Sequence, residues 1–187
     1  MGYIYPGMSD EERAQLRHAA RQSKDMLGFC MKPVHRNRDG KILDPGLWTP
    51  NSIPNQGYDT IWNVYFKGGT QPTGSTAFAL GLAASVTSGW SLTTVIGDMV
   101  AVTGTGYAVS NVNATTDWTI SGNPEVAAVA AKVFTAGGTW TAAIGSYLYA
   151  VTANKLLCYD AFAASRTLYN GDTLTVTTTL TREAATE

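Results

Sequence analysis

The chain has 187 residues, a formal net charge of −1 and charged residues at 14% of its positions. This length is enough for one substantial core plus an appendage, and the near-neutral balance argues against a protein built mainly to bind nucleic acid. Most of the basic residues nevertheless precede Gly68, and small residues crowd the second half, a composition typical of β-sheets with many turns.

The N-terminal segment is predicted to be an arm that contacts a partner. Residues 1–8 are aromatic and apolar but contain two glycines and a proline, which favours an extended conformation. Asp10 to about Leu27 is predicted to be a helix with a thin apolar stripe and one basic face. In the simpler interpretation this basic face is exposed to solvent. In the alternative it contacts an acidic partner, because so thin an apolar stripe would hold the helix only weakly. The candidate interface residues are Tyr3, Ile4, Tyr5, Arg13, Arg17, Arg21 and Lys24.

The next stretch, Gly28 to Asn55, contains four prolines and has no sustained hydrophobic period. Turn signals stand at Asp39-Gly40 and Pro45-Gly46. We interpret this stretch as an extended arm or linker. The predicted domains are therefore an N-terminal arm, residues 1–54, with one helix and a Pro-rich extended segment, and a β-sandwich domain, residues 55–187, that begins with a packed helix.

The second domain is predicted to be mainly β. Its opening helix has apolar residues at Tyr58, Ile61, Trp62 and Tyr65, and Gly68-Gly69 should end it. Short apolar runs separated by turn signals follow without intervening helices, which is typical of an antiparallel sandwich, most simply a jelly-roll-like one. The runs before the closing segment are 76–82, 91–96, 99–102, 107–112, 117–121, 126–134 and 142–152.

The closing segment, Leu156 to Thr181, is the clearest sheet-forming stretch of the chain. It contains two strand-like runs, Lys155–Phe162 and Thr173–Leu180, separated by the turn signal Asn170-Gly171-Asp172. In the second run apolar residues and threonines alternate, which predicts a half-buried antiparallel strand.

The titratable residues give no pattern typical of an enzyme. The two histidines, His18 and His35, both lie in the predicted arm, so a histidine-based triad is not expected. Cys30 and Cys158 are far apart and should be free buried thiols. We predict no catalytic site, no metal site and no cofactor. The aspartates cap turns in the simplest interpretation, although Asp160 and Asp172 could meet across adjacent strands.

Two binding functions are alternatives to a purely structural role. Trp90, Trp118 and Trp140 could form a platform that stacks on sugar rings, which would make the chain a carbohydrate-binding module of a receptor-binding protein, although packing is the commoner use of tryptophan. The basic helix could contact DNA, but the chain shows no recognition motif, so we do not expect a nucleic-acid partner. The N-terminus has no apolar signal-peptide region and no run reaches the ~20 apolar residues of a membrane helix, so we expect a soluble, intracellularly made protein.

The order of several motifs between Asn55 and Thr181 resembles small virion structural proteins of tailed bacteriophages. The motifs are NQGYDTIWNVYFKGGTQPT, a strand ending in Gly81-Leu82, SGWSLTTVIGD, Ser110-Asn111 and LLCYDAFAASRTLYNGDTLTVTTTLT. The resemblance implies a capsid decoration or cement protein, or a tail-associated one such as a neck adaptor or fibre-attachment subunit. It also implies assembly in the host cytoplasm, location in the virion, homo-oligomers and contact with the major capsid protein or other virion proteins.

Overall fold

The computed structural model describes residues 9, 11, 14–15, 27–51, 53–121 and 126–182. Within these ranges the chain is mainly β, with one long helix, α1 (Asn55–Phe66). The strands are β1 (Leu27–Arg36), β2 (Ile42–Asp44), β3 (Thr49–Asn51), β4 (Phe78–Val86), β5 (Met99–Ala101), β6 (Ser110–Val112), β7 (Trp118–Ser121), β8 (Val126–Thr135), β9 (Ala143–Ala150), β10 (Lys155–Arg166) and β11 (Thr173–Arg182).

The strands form two antiparallel sheets, consistent with a β-sandwich. The first sheet has the order β2-β1-β11-β8-β7, and β3 also pairs with β1. The second has the order β10-β9-β4-β5, and β6 also pairs with β4. We refer to the two sheets together as the sandwich. The predicted antiparallel pairing is confirmed.

The first sheet corrects the prediction of a linker between residues 28 and 55. β1 pairs with β11 over its whole length, from Leu27 opposite Arg182 to Arg36 opposite Thr173. Pro33 lies between the part of β1 that pairs with β3 and the part that pairs with β2, a position where a strand tolerates a missing N–H. The sandwich therefore begins before residue 55, because prolines at such positions are compatible with a strand.

The two runs of the closing segment belong to different sheets. β10 pairs with β9 in the second sheet, and β11 pairs with β1 and β8 in the first. The chain therefore crosses from one sheet to the other between Arg166 and Thr173. The predicted alternation in β11 is confirmed from Thr173 to Thr178, since Leu174, Val176 and Thr178 are buried, but the next residue, Thr179, is buried as well.

The core lies between the sheets. Met31, Leu174 and Val176 of the first sheet and Leu80 and Leu148 of the second belong to one buried apolar cluster. Cys30 and Cys158 are both buried and are not joined in a disulfide, as predicted from their spacing. Apolar side chains from both sheets thus exclude water from the interior, which is the main stabilising contribution of this arrangement.

The helix predicted after residue 54 is present, and it packs beside β10. Gly57 makes close contact possible, because a Cβ atom at this position would lie 2.4 Å from the Leu157 carbonyl oxygen. The helix begins at Asn55, and Pro54 is its N-cap residue. Tyr58 packs against the core, whereas Trp62 of the predicted apolar face is 53% exposed.

Two local predictions from the sequence were wrong. Residues 91–96 form turns instead of a strand, because Thr94 Oγ1 accepts from the Ser91 N–H and donates to the Gly89 carbonyl. Leu27, the predicted end of the N-terminal helix, begins β1. Of that predicted helix the structure describes Glu11, Ala14 and Gln15, which have helical backbone.

Candidate functional site

All seven candidate interface residues predicted from the sequence lie outside the described residues. They are Tyr3, Ile4, Tyr5, Arg13, Arg17, Arg21 and Lys24. The described part of the chain instead presents two neighbouring features around β2. One is a row of polar contacts that joins residues 35–49 to the rest of the sandwich, and the other is an exposed edge on the outside.

The first polar contact joins the edge strands of the two sheets. Arg166, at the end of β10, donates from Nε and Nη2 to Asp44 Oδ2 of β2, at 3.0 and 2.6 Å. The Arg166 guanidinium also lies over the Phe162 ring, 4.4 Å from its centroid. The arginine side chain is 8% exposed and the aspartate side chain 40% exposed. A buried charge is thus paired with a carboxylate that still reaches solvent.

The pKa of Asp44 is lowered overall. Burial alone would raise the pKa of this carboxyl, but the Gly46 N–H and the Arg166 side chain both donate hydrogen bonds to it. The positive charge of Arg166 and the nearby His35 lower it further. Asp44 is therefore held in its charged form.

The second contact lies deeper. Thr49 Oγ1 of β3 donates to Asp160 Oδ1 of β10 at 2.6 Å, and Asp160 is 3% exposed. Burial raises the pKa of Asp160 to about 7, although the Thr49 hydrogen bond and the charge of Arg166 both act to lower it. Asp160 Oδ2 is buried without a hydrogen-bond partner. A protonated carboxyl suits such a site, because desolvation disfavours its charged form.

The third contact ties β1 to the turn before β11. His35 Nε2 lies 3.5 Å from Asp172 Oδ2, and both side chains are buried. The same aspartate oxygen accepts a 3.0 Å hydrogen bond from the Tyr169 N–H. Asp160 and Asp172 therefore have different partners, and the sequence-based idea that they meet across adjacent strands was wrong, because β10 and β11 lie in different sheets.

We call these six residues the polar seam: His35, Asp44, Thr49, Asp160, Arg166 and Asp172. Each contact links residues 35–49 to a residue more than a hundred positions later. The two hydrogen-bonded contacts, Thr49–Asp160 and Asp44–Arg166, favour one arrangement of neighbouring strands, because a displaced strand would leave further buried polar groups unpaired. The seam therefore holds β2 and β3 against the sandwich.

On the outside of the seam, β2 and the loop after it expose large apolar side chains. Ile42, Leu43 and Leu47 are 45%, 53% and 63% exposed. Arg38 and Lys41 are exposed in the turn that precedes β2. We call these five residues the β2 surface. Because β2 is an edge strand, this surface combines apolar area, charged side chains and strand backbone at one border of the first sheet, and Arg38 lies 3.8 Å from the exposed Asp39 carboxylate.

The sequence contained a signal for this surface that the linker interpretation did not use. The turn signals Asp39-Gly40 and Pro45-Gly46 stand on either side of β2, as expected for a short strand between two turns. Gly46 has φ +63°, and a Cβ atom there would overlap the Pro33 carbonyl oxygen. The seam partners had no such signal, since they are distant in sequence.

The three tryptophans proposed to form a sugar platform pack in different places. Trp140 is 2% exposed, and its Nε1 donates to the Thr105 carbonyl. Trp118 makes an edge-to-face contact with Phe78, and Trp90 packs against Tyr159 of a second apolar cluster. Trp140 is therefore too buried to stack on a sugar ring.

Comparison with known proteins finds no matching family model, no matching curated protein and no matching solved structure. Among the described residues, no group of three or more His, Cys, Asp or Glu side chains is placed to hold a metal ion. None of the helices in the described ranges combines the length and apolar character needed to cross a bilayer.

Proposed function

We propose that this protein is a non-enzymatic structural subunit of a bacteriophage virion, and in particular a capsid decoration (cement) protein. In this proposal it is a homo-oligomer that contacts the major capsid protein or other virion proteins. Its fold is a jelly-roll-like sandwich with an N-terminal arm that contains a helix. The order of sequence motifs between Asn55 and Thr181 supports this class.

The observation that carries the proposal is the β2 surface. Leu43 on the edge strand β2 and Leu47 in the loop after it are more than half exposed, and the polar seam holds β2 in place. Arg38 and Lys41 are exposed in the turn before β2. An exposed apolar group at a sheet edge invites pairing or packing with another chain. A subunit that stabilises an assembly needs such a surface, and it needs the surface to be rigid so that little entropy is lost on binding.

The mechanism combines this surface with the N-terminal arm. The sandwich sits on the shell, the β2 surface packs against a neighbouring subunit, and Tyr3, Ile4 and Tyr5 anchor the arm on the same neighbour. Arg13, Arg17, Arg21 and Lys24 provide positive charge toward an acidic partner surface. Burial of apolar area contributes about 25 cal/mol per Å², which offsets the entropy lost when a segment is ordered.

Copy number in purified virions tests the proposal. We expect many copies of this protein per particle, in a fixed ratio to the major capsid protein. The intensity of its band in a stained gel, or quantitative mass spectrometry of its peptides, measures that ratio. A few copies per particle would favour the tail or neck adaptor instead. Absence of the protein from virions purified through two density gradients would overturn the structural role.

A further inference from the structure

A cleft lies beside α1, apart from the polar seam and the β2 surface. Its volume is about 710 Å³, within the range of small-molecule sites. The helix forms one wall and residues 69–73 continue it, while residues 93–95 and the turn between β9 and β10 form the other sides. No local sequence pattern indicates this cleft.

Backbone and side-chain hydrogen bonds fix the walls. Gln56 Oε1 accepts from the N–H groups of Ile96 and Leu156, at 3.1 and 2.7 Å, which leaves its NH2 group for other partners. The Gly69 N–H donates to the Asn63 carbonyl at 2.8 Å, so the chain after α1 turns back along the cleft. A Cβ atom at Gly69 would lie 2.9 Å from that same oxygen. The cleft is therefore preorganised before any ligand binds.

The lining is rich in uncharged hydrogen-bonding side chains. Amides and hydroxyls contribute from several walls, among them Asn55, Asn63, Gln71, Thr73, Thr93 and Thr152. The charged residues of the lining are Asp59 and Lys155, which carry opposite signs. A ligand with a large net charge would gain little from such a site, whereas a neutral ligand with many hydroxyl groups could satisfy both donors and acceptors.

An exposed aromatic pair stands next to this lining on the same helix. Trp62 and Phe66 are 53% and 72% exposed, and their ring centroids are 4.8 Å apart. Residues three apart on a helix are neighbours, so Trp62 adjoins Asp59 and Phe66 adjoins Asn63. The pair therefore occupies helix positions next to two residues of the cleft lining. Polar groups with a flanking aromatic face can bind a ligand that has both hydroxyl groups and apolar ring faces.

We propose that this cleft binds a neutral oligosaccharide. Sugar hydroxyls bond to the amides of Gln56 and Asn63 and to the threonine hydroxyls, and one ring face stacks on Trp62 or Phe66. The site is different from the three tryptophans considered in the sequence analysis. The inference does not depend on the proposed virion role, because it uses only the geometry around α1.

Binding to defined oligosaccharides tests this proposal. The purified full-length protein is titrated by calorimetry with maltotriose, cellotriose, tri-N-acetylchitotriose and sialyllactose, after a screen on an array of neutral and acidic glycans. We expect at least one neutral oligosaccharide to bind and the acidic ones to bind no better. Trp62→Ala and Asn63→Ala should each weaken that binding about tenfold or more.

Two matched variants control for general effects of the substitutions. Tyr169→Ala removes another exposed aromatic side chain, and Asn111→Ala removes another exposed amide, both away from the cleft. Both should bind as the unmodified protein does, and circular dichroism should show all four variants folded. The proposal is overturned if no neutral glycan on the array binds, or if binding survives in both the Trp62 and Asn63 variants.

Discussion

Thr49 donates a 2.6 Å hydrogen bond to Asp160, although the two residues are 111 positions apart in the chain. The contact joins β3, which pairs with β1 in the first sheet, to β10 at the edge of the second. It lies at the most buried point of the polar seam, where a carboxyl group has one satisfied oxygen and one unpaired oxygen. The protonation of Asp160 should therefore affect the stability of the whole sandwich.

Replacing Asp160 by Asn should change how stability depends on pH. The pKa of Asp160 is raised to about 7 in the folded chain, so the folded state holds this proton more tightly than the unfolded state. The protonated Asp160 carboxyl therefore stabilises the folded state most at low pH, and this stabilisation is lost as pH rises from about 4 to about 7. The stability of Asp160→Asn relative to the unmodified protein should therefore rise across this window, by up to about 4 kcal/mol. Urea unfolding of both proteins at a series of pH values measures this difference in the free energy of unfolding.

Thr49→Val provides the companion measurement. The Thr49 hydrogen bond lowers the pKa of Asp160, so its removal should move the upper end of the pH window above 7. A difference between Asp160→Asn and the unmodified protein that stays constant from pH 4 to pH 8 would contradict the raised pKa.

Replacing Asp44 by Ala should destabilise the protein. The substitution leaves the Arg166 guanidinium buried without its carboxylate, and Nη1 of this arginine already has no hydrogen-bond partner. Breaking a fully buried pair costs about 3–5 kcal/mol. Because Asp44 is partly exposed, we expect a smaller loss, about 2–3 kcal/mol, in chemical unfolding at pH 7.

The matched control is Asp39→Ala, since Asp39 and Arg38 form an ion pair in which both side chains are exposed. That variant should have nearly the stability of the unmodified protein. The effect of Asp44→Ala should also shrink at acid pH, because the pKa of Asp44 is lowered and its contribution is lost as pH falls through that value. Equal effects of the two substitutions would argue that the seam does not stabilise the fold.

Gly57→Ala should destabilise the contact between α1 and β10. In an unconstrained helix this change is favourable by about 1 kcal/mol. Here the new Cβ atom would meet the Leu157 carbonyl oxygen at 2.4 Å, so the helix must move away, and we expect a net loss of about 1–3 kcal/mol. Gly97→Ala is the control, because a Cβ atom there has no neighbour within 4 Å. Thermal unfolding of both variants should show a lower Tm for Gly57→Ala alone.

Replacing Leu43 and Leu47 together by Ser should weaken assembly without unfolding the protein. Both side chains are mostly exposed, so their loss removes little core burial but removes apolar area from the β2 surface. We expect less binding to capsid shells in a co-sedimentation assay. The control is Ile120→Ser, which removes an exposed apolar residue from β7 at the opposite border of the same sheet. Unchanged binding of the double variant would exclude the β2 surface as the interface.

Much of the architecture could be predicted from local patterns. Alternation in β11 and the turn signal just before it are properties of adjacent residues, so the strand and most of its buried face followed from the sequence. The helix before Gly68 was predictable for the same reason. Residues 91–96 were not, because their apolar residues resemble a strand while the hydrogen bonds of Thr94 form a turn.

The sequence alone determined the β class and the amphipathic helix, because periodicity and turn residues are local quantities. Only the tertiary structure decided that β10 and β11 lie in different sheets and that β1 belongs to the sandwich. It alone paired Asp44 with Arg166 and Thr49 with Asp160. These contacts join residues more than a hundred positions apart, and they form only when strand order brings the two edges together, which no local pattern specifies.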